Sequence, residues 1–595
     1  MADDAGVPAR ASVGASSLHA RWLAVLVCGC VGSLLAVMPQ LATLVHYGDI
    51  SFLASNDDAI YLGTARQAYF DDWALLDAVT RPSDHLPTLF EPIVYVPFAK
   101  VAAAAHLGVF GIALLWRLTG GFALGASLFV LNHRLTRTLS FSLLSVIAIG
   151  IWLLCDPAIV SGRPLVDEVS VVRSIFNSAI WNGRVDVLGQ FRFTSPVLVL
   201  PALIFFSVFL MGLRESKATG SVIGAVLALA FLIYSYFYYW TAAVTAVALL
   251  MVTVFLCRGR LHGWRQLLKR LTFILVGALL LGAPSILQKA QLSKMPQYAE
   301  ALQRMSRGEI VLPGDPMLRI GLFNSWVALQ MFVGLGAIIF WRWYEMSVLV
   351  AMVLAGYLLR NSALLTHRGL ENWHWSYVHT SLGVVIMLMV FLRLANQWLG
   401  GRRSKREATC IAAVLLIIAL PARWSQAINA PQPRQYRAEL DALRPILPAI
   451  EQLKPNDVVA GGDETKIVMM ESPCAILYQS PHMLHSSLVG NDELLTRQAL
   501  SLYLTGYSEA DGLRVGAATP FWAAQLVRPM AVVQHVTDRR KELFESIAAD
   551  PARYIDSFGV TTVITSAPAQ AMPAGFWKPV GSGKGLTIWR ATRAQ

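Results

Sequence analysis

Residues 54–66 read ASNDDAIYLGTAR, and they follow shortly after the first long apolar run of the chain, at 22–46. The stretch holds two adjacent carboxylates, Asp57 and Asp58, with Tyr61 three residues further on. An apolar run of this length can cross a bilayer as a helix. The sequence therefore predicts a pair of acidic side chains just beyond the end of a membrane-spanning helix.

The composition is that of a membrane protein. Of 595 residues, 55% are hydrophobic and 14% are charged, and apolar segments that approach the length of a bilayer span recur along the chain. The formal net charge of +12 does not indicate a nucleic-acid partner, because Lys and Arg lie in short clusters between apolar runs, as in cytoplasmic loops. The six cysteines show no spacing typical of a disulfide framework or a metal site. We therefore predict a polytopic α-helical membrane protein.

Eleven apolar segments qualify as candidate membrane spans. The positive clusters between them, such as GRRSKRE at 401–407, fall on one side of the membrane if the N-terminus is cytoplasmic. The C-terminus and the chemically unusual loops then lie on the outer face. The predicted spans are 22–46, 108–131, 139–157, 196–213, 221–237, 240–257, 271–288, 322–341, 346–361, 376–395 and 408–421.

Two features near the second span are unusual. Arg117 lies inside the span, where a charged residue either has a functional role, extends its side chain to the membrane surface or pairs with another helix. The preceding stretch, EPIVYVPFAKVAAAAHLG, is apolar but contains Pro92, Pro97 and Lys100. We predict an interfacial or re-entrant segment there, and not a further span.

The chain changes character after residue 421. Short runs typical of strands, DVVAGG, CAILY, GVTTVITS and GLTIWRA, alternate with the helical stretches NDELLTRQALSLYL and DRRKELFESIAA. We therefore predict two domains: a transmembrane domain at 1–421 with a large first outer loop at 47–107, and a small α/β domain at 422–595 outside the cytoplasm.

The acidic stretch is explained in part by helix capping. Asn56 can cap a helix whose first turn contains the aspartates, where carboxylates interact favourably with the helix dipole. One carboxylate is enough for this purpose, so the second indicates a further role. A second acidic pair, Asp71 and Asp72, is predicted to lie on a solvated or interfacial face.

The layout of the chain resembles the GT-C superfamily of membrane glycosyltransferases, which includes protein O-mannosyltransferases and aminoarabinose transferases that act on lipid A. The shared features are a first outer loop that opens with an acidic motif, many further spans and an outward C-terminal domain. NDDAIY looks like their Asp-Glu-x-x-Tyr type motif, with Asp57 and Asp58 at the acidic positions and Tyr61 at the aromatic position. The chain departs from the motif in having Asp at the second acidic position.

The resemblance implies transfer of a sugar from a polyprenyl-phosphate donor to a cell-envelope glycan, lipid or protein. An acceptor hydroxyl attacks the anomeric carbon, and the lipid phosphate leaves. Asp57 is the predicted proton acceptor, a role that typically contributes about 10²- to 10⁴-fold. Asp58 either orients Asp57 or helps to hold a divalent metal cation. The resemblance also places the protein in a bacterial inner membrane, among membrane lipids, with its active site facing the periplasm.

The leaving phosphate requires cations or fixed hydrogen-bond donors nearby. Arg192 of FRFTSP is one candidate, with plain interfacial anchoring as the alternative. The segment THRGLENWHWSYVH at 366–379 supplies further candidates for phosphate or sugar binding: His367, Arg368, Glu371 and His374.

The same segment also has the spacing of a helical metal site. On a helix, His367, Glu371 and His374 share one face, so metal binding is a second interpretation and a packed interfacial network a third. The aromatic run YSYFYYW at 234–240 is predicted to form a membrane belt, with a substrate platform as the alternative.

A non-catalytic transporter or polysaccharide-export component is the main alternative function, with Asp57, Arg117 and the histidines lining a pathway. A scaffold that binds without transferring is the third. Transporters place their charged groups at mid-membrane on broken helices. Only Arg117 clearly lies at that depth, so the sequence favours a membrane glycosyltransferase.

Overall fold

Apolar runs with few charges form helices in a bilayer, because a helix satisfies its own backbone hydrogen bonds where water is absent. In the computed structural model each of the eleven predicted spans coincides with a helix. The structure describes residues 15–53, 56–70, 75, 79–81, 84, 86–155, 197–215, 218–259, 263–304, 307–310, 325–341, 344–362, 366, 368–370, 372–399, 401–429, 431–462, 464–479, 488–507, 530–566 and 576–592.

Six of the described helices are long and apolar enough to cross a membrane. The other helices that coincide with predicted spans have 12 to 17 residues. At 1.5 Å per residue they extend over about 18–26 Å, less than the ~30 Å of a hydrocarbon core. A mostly helical membrane fold is therefore confirmed, whereas the number of spans and their orientation stay predictions.

Fourteen described helices form the first part of the chain, and the helix Val109–Thr136 contacts Ala15–Tyr47, Leu139–Cys155 and Leu200–Met211. They are α1 (Ala15–Tyr47), α2 (Asn56–Phe70), α3 (Val96–Ala104), α4 (Val109–Thr136), α5 (Leu139–Cys155), α6 (Leu200–Met211), α7 (Thr219–Ile233), α8 (Phe237–Leu256), α9 (Trp264–Leu292), α10 (Pro296–Arg304), α11 (Ser325–Trp341), α12 (Tyr344–Arg360), α13 (Ser376–Leu399) and α14 (Gly401–Asn429).

The segment before α4 is too short to span a membrane. It forms a 3₁₀ turn at Pro92–Val94 and then α3, whose nine residues extend over only ~14 Å. The indole Nε1 of Trp116 on α4 donates a hydrogen bond to the carbonyl oxygen of Val94 at 2.7 Å. The structure therefore agrees with an interfacial or re-entrant segment, attached to α4.

The C-terminal part contains a small mixed sheet with helices packed on it, as the alternating pattern predicts. The strands run in the order β4–β3–β5–β7–β6, with β3 parallel to β4 and β5, and β7 antiparallel to β5 and β6. The elements are α15 (Pro431–Leu443), α16 (Leu447–Ile450), β3 (Val458–Ala460), α17 (Thr465–Glu471), β4 (Ala475–Ile476), α18 (Asn491–Leu504), α19 (Met530–Ala549), α20 (Pro551–Phe558), β5 (Val560–Thr565), β6 (Trp577–Gly583) and β7 (Leu586–Ala591).

The domain boundary predicted at residue 421 falls inside a helix, because α14 continues to Asn429. Charged side chains then join the two parts. Asp49, which follows α1, accepts hydrogen bonds from Arg437 at 2.9 Å and from Arg444 at 2.8 Å. The buried guanidinium of Arg66 on α2 donates to the carbonyl oxygen of Cys474 at 3.0 Å. The segment between α1 and α4 and the C-terminal part are therefore packed together.

Glu471, at the end of α17, lies close to this junction. Burial, together with the nearby carboxylates of Glu451 and Asp49, raises the pKa of Glu471 to about 7. The pKa of Glu471 is higher in the folded protein than in the unfolded chain. Its contribution to the free energy of unfolding is therefore fully present below about pH 4.5 and is lost as the pH rises through 7.

We expect Glu471→Gln to raise the apparent melting temperature in detergent at pH 8, with a difference that shrinks towards pH 5. Because the Gln side chain cannot ionise, the variant has no buried charge at this position at pH 8. Its free energy of unfolding rises by at most about 2 kcal/mol after solvent screening. Thermal unfolding across this pH range measures it. Glu545→Gln, at an exposed position of α19, is the matched control; an equal effect there, or a gain that does not depend on pH, would contradict the assignment.

Candidate functional site

The acidic motif forms the beginning of α2, which starts at Asn56. The backbone of Asp57 lies in the first turn, and its side chain is outside the described residues. Asp58 is fully buried and pairs with Arg117 of α4, with 3.4 Å between Oδ2 and Nη2. A buried charge is strongly destabilising without a partner. Of the alternatives for Arg117, the structure therefore shows pairing with another helix, and Asp58 does more than cap α2.

The surroundings of this ion pair come from three further segments. The Arg117 guanidinium carbon lies 5.1 Å from the centre of the buried Phe52 ring, which precedes α2. Arg423 of α14 is also fully buried and lies within electrostatic range of Arg117. Its Nε donates to the carbonyl oxygen of Leu35 on α1 at 2.8 Å. The ion pair thus joins α2 to α4, and α14, which is itself joined to α1, lies within electrostatic range of it.

Tyr61 lies in an aromatic cluster. Its ring is 5.8 Å from Phe90, in an edge-to-face arrangement, and 6.2 Å from Tyr95, which in turn packs on Trp116 at 5.4 Å. Such edge-to-face contacts restrain the orientation of the Tyr61 ring. The sequence did not identify Phe90 and Tyr95 as neighbours of Tyr61, because their apolar stretch indicated only a short interfacial segment.

His374 lies in a second aromatic cluster, which is near the first. Its Nδ1 shares a 2.5 Å hydrogen bond with the hydroxyl of Tyr236, and its ring stacks on Tyr238 with centroids 4.4 Å apart. The hydroxyl of Tyr236 lies within electrostatic range of other tyrosine hydroxyls, that of Tyr61 on α2 among them. The motif on α2 and the segment around His374 are therefore close enough to interact electrostatically.

The single helix on which the metal interpretation of this segment depended does not form over its described residues. Arg368–Leu370 is a strand, β2, paired antiparallel with β1 (Arg307–Ile310), and Asn372–Trp375 is a 3₁₀ turn. No single helix therefore carries His367, Glu371 and His374 on one face. His367, Glu371 and Arg192 lie outside the described residues, as does the Arg368 side chain.

The described residues do not fit a metal cofactor. Among them, no group of three His, Cys, Asp or Glu side chains could hold a metal ion. Asp58, the predicted metal ligand, faces a guanidinium that would repel a second cation.

The predicted aromatic belt does not face lipid at two of its positions. Tyr238 and Tyr239 are buried, and the stacking of Tyr238 on His374 places it inside the protein. The long-range contact with residue 374 could not be read from a run of aromatic residues, whose local pattern is the same for a belt and for a buried cluster.

Two further polar contacts join charged side chains at or near the ends of helices. The carboxylate of Glu91 pairs with Lys289 of α9 at 2.7 Å and accepts a hydrogen bond from Ser285 at 3.0 Å. Arg360, at the end of α12, lies 3.4 Å from the buried His379 of α13. Arg360 was missed because it ends an apolar run, where a basic residue is typical of any membrane helix.

Comparison with known proteins identifies the fold. No protein-family model and no curated protein matches the sequence. The crystal structure of ArnT from Cupriavidus metallidurans in the apo state matches with a TM-score of 0.50 and 13% identity, over 96% of this chain and 98% of that one. The same protein bound to undecaprenyl phosphate gives 0.48 and 15%, over 97% and 98%. AglB from Archaeoglobus fulgidus, an oligosaccharyltransferase in complex with an inhibitory peptide and a dolichol-phosphate, gives 0.45 and 9%, over 93% and 70%.

ArnT is a GT-C glycosyltransferase. Its apo structure extends over nearly the whole of both chains, so the likeness includes the membrane helices and the C-terminal sheet. The predicted resemblance is thus confirmed at the level of the fold: this chain has the fold of the GT-C membrane glycosyltransferases.

Proposed function

We propose that the protein transfers a sugar from a polyprenyl-phosphate donor to a hydroxyl of a cell-envelope glycan, lipid or protein. The reaction takes place at the periplasmic face of a bacterial inner membrane. The observation that carries this proposal is the buried Asp58–Arg117 pair, which holds the acidic motif at the start of α2. The GT-C fold supports it.

Asp57 accepts the proton of the acceptor hydroxyl. The acceptor oxygen then forms a bond to the anomeric carbon, while the bond between that carbon and the phosphate oxygen breaks and its electron pair leaves with the lipid phosphate. Asp58 positions Asp57 through its ion pair with Arg117, which fixes the first turn of α2. A rigid supporting pair of this kind keeps a general base in its productive geometry.

The leaving phosphate and the sugar are assigned to the segment around His374. Its ring is held by Tyr236 and Tyr238, and Tyr236 lies within electrostatic range of Tyr61 on α2. Arg368 and Arg192 are the proposed cations for the phosphate, with His367 and Glu371 as polar contacts to phosphate or sugar.

The case for a transporter depended on Arg117 as a mid-membrane charge. Its pairing with Asp58 at 3.4 Å neutralises that charge within the protein. A transport pathway would instead require the charge to interact with a moving substrate. Sugar transfer is therefore the function that we propose.

We expect Asp57→Asn to lower transfer by at least about 100-fold, because the amide cannot accept the proton. Purified protein with radiolabelled polyprenyl-phosphate sugars and candidate acceptors measures the rate. Asp84→Asn is the matched control in the same loop, since that carboxylate pairs with Arg81 near the surface. Full activity of Asp57→Asn, with donor and acceptor both shown to be used by the wild type, would refute the catalytic assignment.

We expect Asp58→Asn and Arg117→Met each to destabilise the protein by about 3–5 kcal/mol, because each leaves one buried charge without its partner. The double variant is expected to recover much of that loss, since both charges are removed together. Thermal unfolding in detergent measures this coupling, and Asp84→Asn should cost less than about 1 kcal/mol. Additive losses in the double variant would show that the pair does not support α2.

A further inference from the structure

A cavity lies at the opposite end of α4 from Arg117. Near their middles, α1 and α4 touch backbone to backbone, because a methyl group on Gly32 would overlap the carbonyl oxygen of Gly121, and one on Gly125 would overlap that of Cys28. Beyond this contact, towards the N-terminal end of α1, a cavity of about 490 Å³ opens between α1, α4 and α6. It is separated from Arg117 by roughly 25 Å along α4.

The walls of this cavity are apolar. Val25 of α1, Val130 of α4, and Phe205 and Val208 of α6 line it, together with the ring of Phe129. Trp22 lies at its edge with 64% of its surface exposed. Tryptophan at such a position is typical of the boundary between acyl chains and head groups.

The rim of the cavity is basic. Arg21, Arg134 and Arg137 line it, and Glu215 is the only carboxylate among its described lining residues. Arg134 is already occupied, since its Nη2 donates to Glu215 at 2.9 Å and to the carbonyl oxygen of Met211 at 3.0 Å. Among the residues that the structure describes, neither Arg21 nor Arg137 forms an ion pair with a carboxylate.

We infer that this cavity binds an anionic glycerophospholipid. Its phosphate lies between the guanidinium groups of Arg21 and Arg137, and an acyl chain fills the apolar space between α1, α4 and α6. Basic pockets between membrane helices bind anionic head groups on the cytoplasmic side, and the predicted topology puts this end of α1 there. The site does not depend on the proposed transfer reaction, which is assigned to the other end of α4.

A phosphatidylcholine of the same size fits the apolar space equally well but has a zwitterionic head group. Selectivity for a net negative lipid must therefore come from the arginines. Near a membrane surface, each arginine strengthens the affinity for an anionic head group about tenfold or less. The apolar walls distinguish a lipid from a water-soluble phosphate, which cannot use them.

Native mass spectrometry of the purified full-length protein in detergent tests the inference, with phosphatidylglycerol and phosphatidylcholine of identical acyl chains. We expect phosphatidylglycerol to be retained preferentially, with its affinity reduced about 10- to 30-fold in the variant Arg21→Gln/Arg137→Gln. Arg402→Gln/Arg403→Gln removes the same charge from exposed positions at the start of α14 and should leave the affinity unchanged. Val25→Trp fills the cavity and should weaken binding with all the charges in place.

Three outcomes would overturn the inference. Equal losses in the two arginine pairs would indicate general attraction to a basic surface. Equally strong binding of glycerol 3-phosphate would indicate a phosphate site without a lipid. Tighter retention of undecaprenyl phosphate than of phosphatidylglycerol, abolished in Arg21→Gln/Arg137→Gln, would assign the cavity to a carrier lipid.

Discussion

The buried ion pair between Asp58 and Arg117 is the interaction on which the candidate site depends. Both side chains are inaccessible to solvent, so neither charge can be satisfied by water if the other moves away. Separating them would cost several kcal/mol per ion. The start of α2 is consequently tied to α4, and the buried carboxylate of Asp58 lies in the first turn of α2, where the helix dipole favours negative charge. A catalytic carboxylate at Asp57 would then be positioned by packing within the membrane domain.

The helices and strands could be predicted because they depend on local composition. The eleven apolar runs, the helical stretch at Asn491–Leu504 and the strand Val560–Thr565 all follow from patterns within windows of ten to twenty residues. The ion pair could not be predicted in this way. Its two members are separated by 59 residues, and a sequence shows that Arg117 needs a partner without showing which carboxylate supplies it.

The segment around His374 shows how a long-range contact changes a local interpretation. The spacing of its histidines and Glu371 suggested one face of a helix, but pairing with β1 draws Arg368–Leu370 into a strand. The same applies to Tyr238, whose stacking on His374 requires two segments that are distant in the sequence. A sheet contact and a ring contact between remote segments cannot be inferred from periodicity, which reports only on neighbours along one element.

The two ends of α4 differ in how their charges are balanced, and this difference follows from its packing. At the end near Arg117, α2 packs on the helix and both charged side chains are fully buried, so a charge there must be paired inside the protein. At the other end the glycine contact with α1 is followed by a cavity, and Arg137 remains exposed at its rim. A charge that faces lipid and solvent can be balanced by a membrane phosphate, whereas a charge enclosed by helices cannot. The same helix therefore carries an enclosed, paired charge towards one end and an exposed charge at the other.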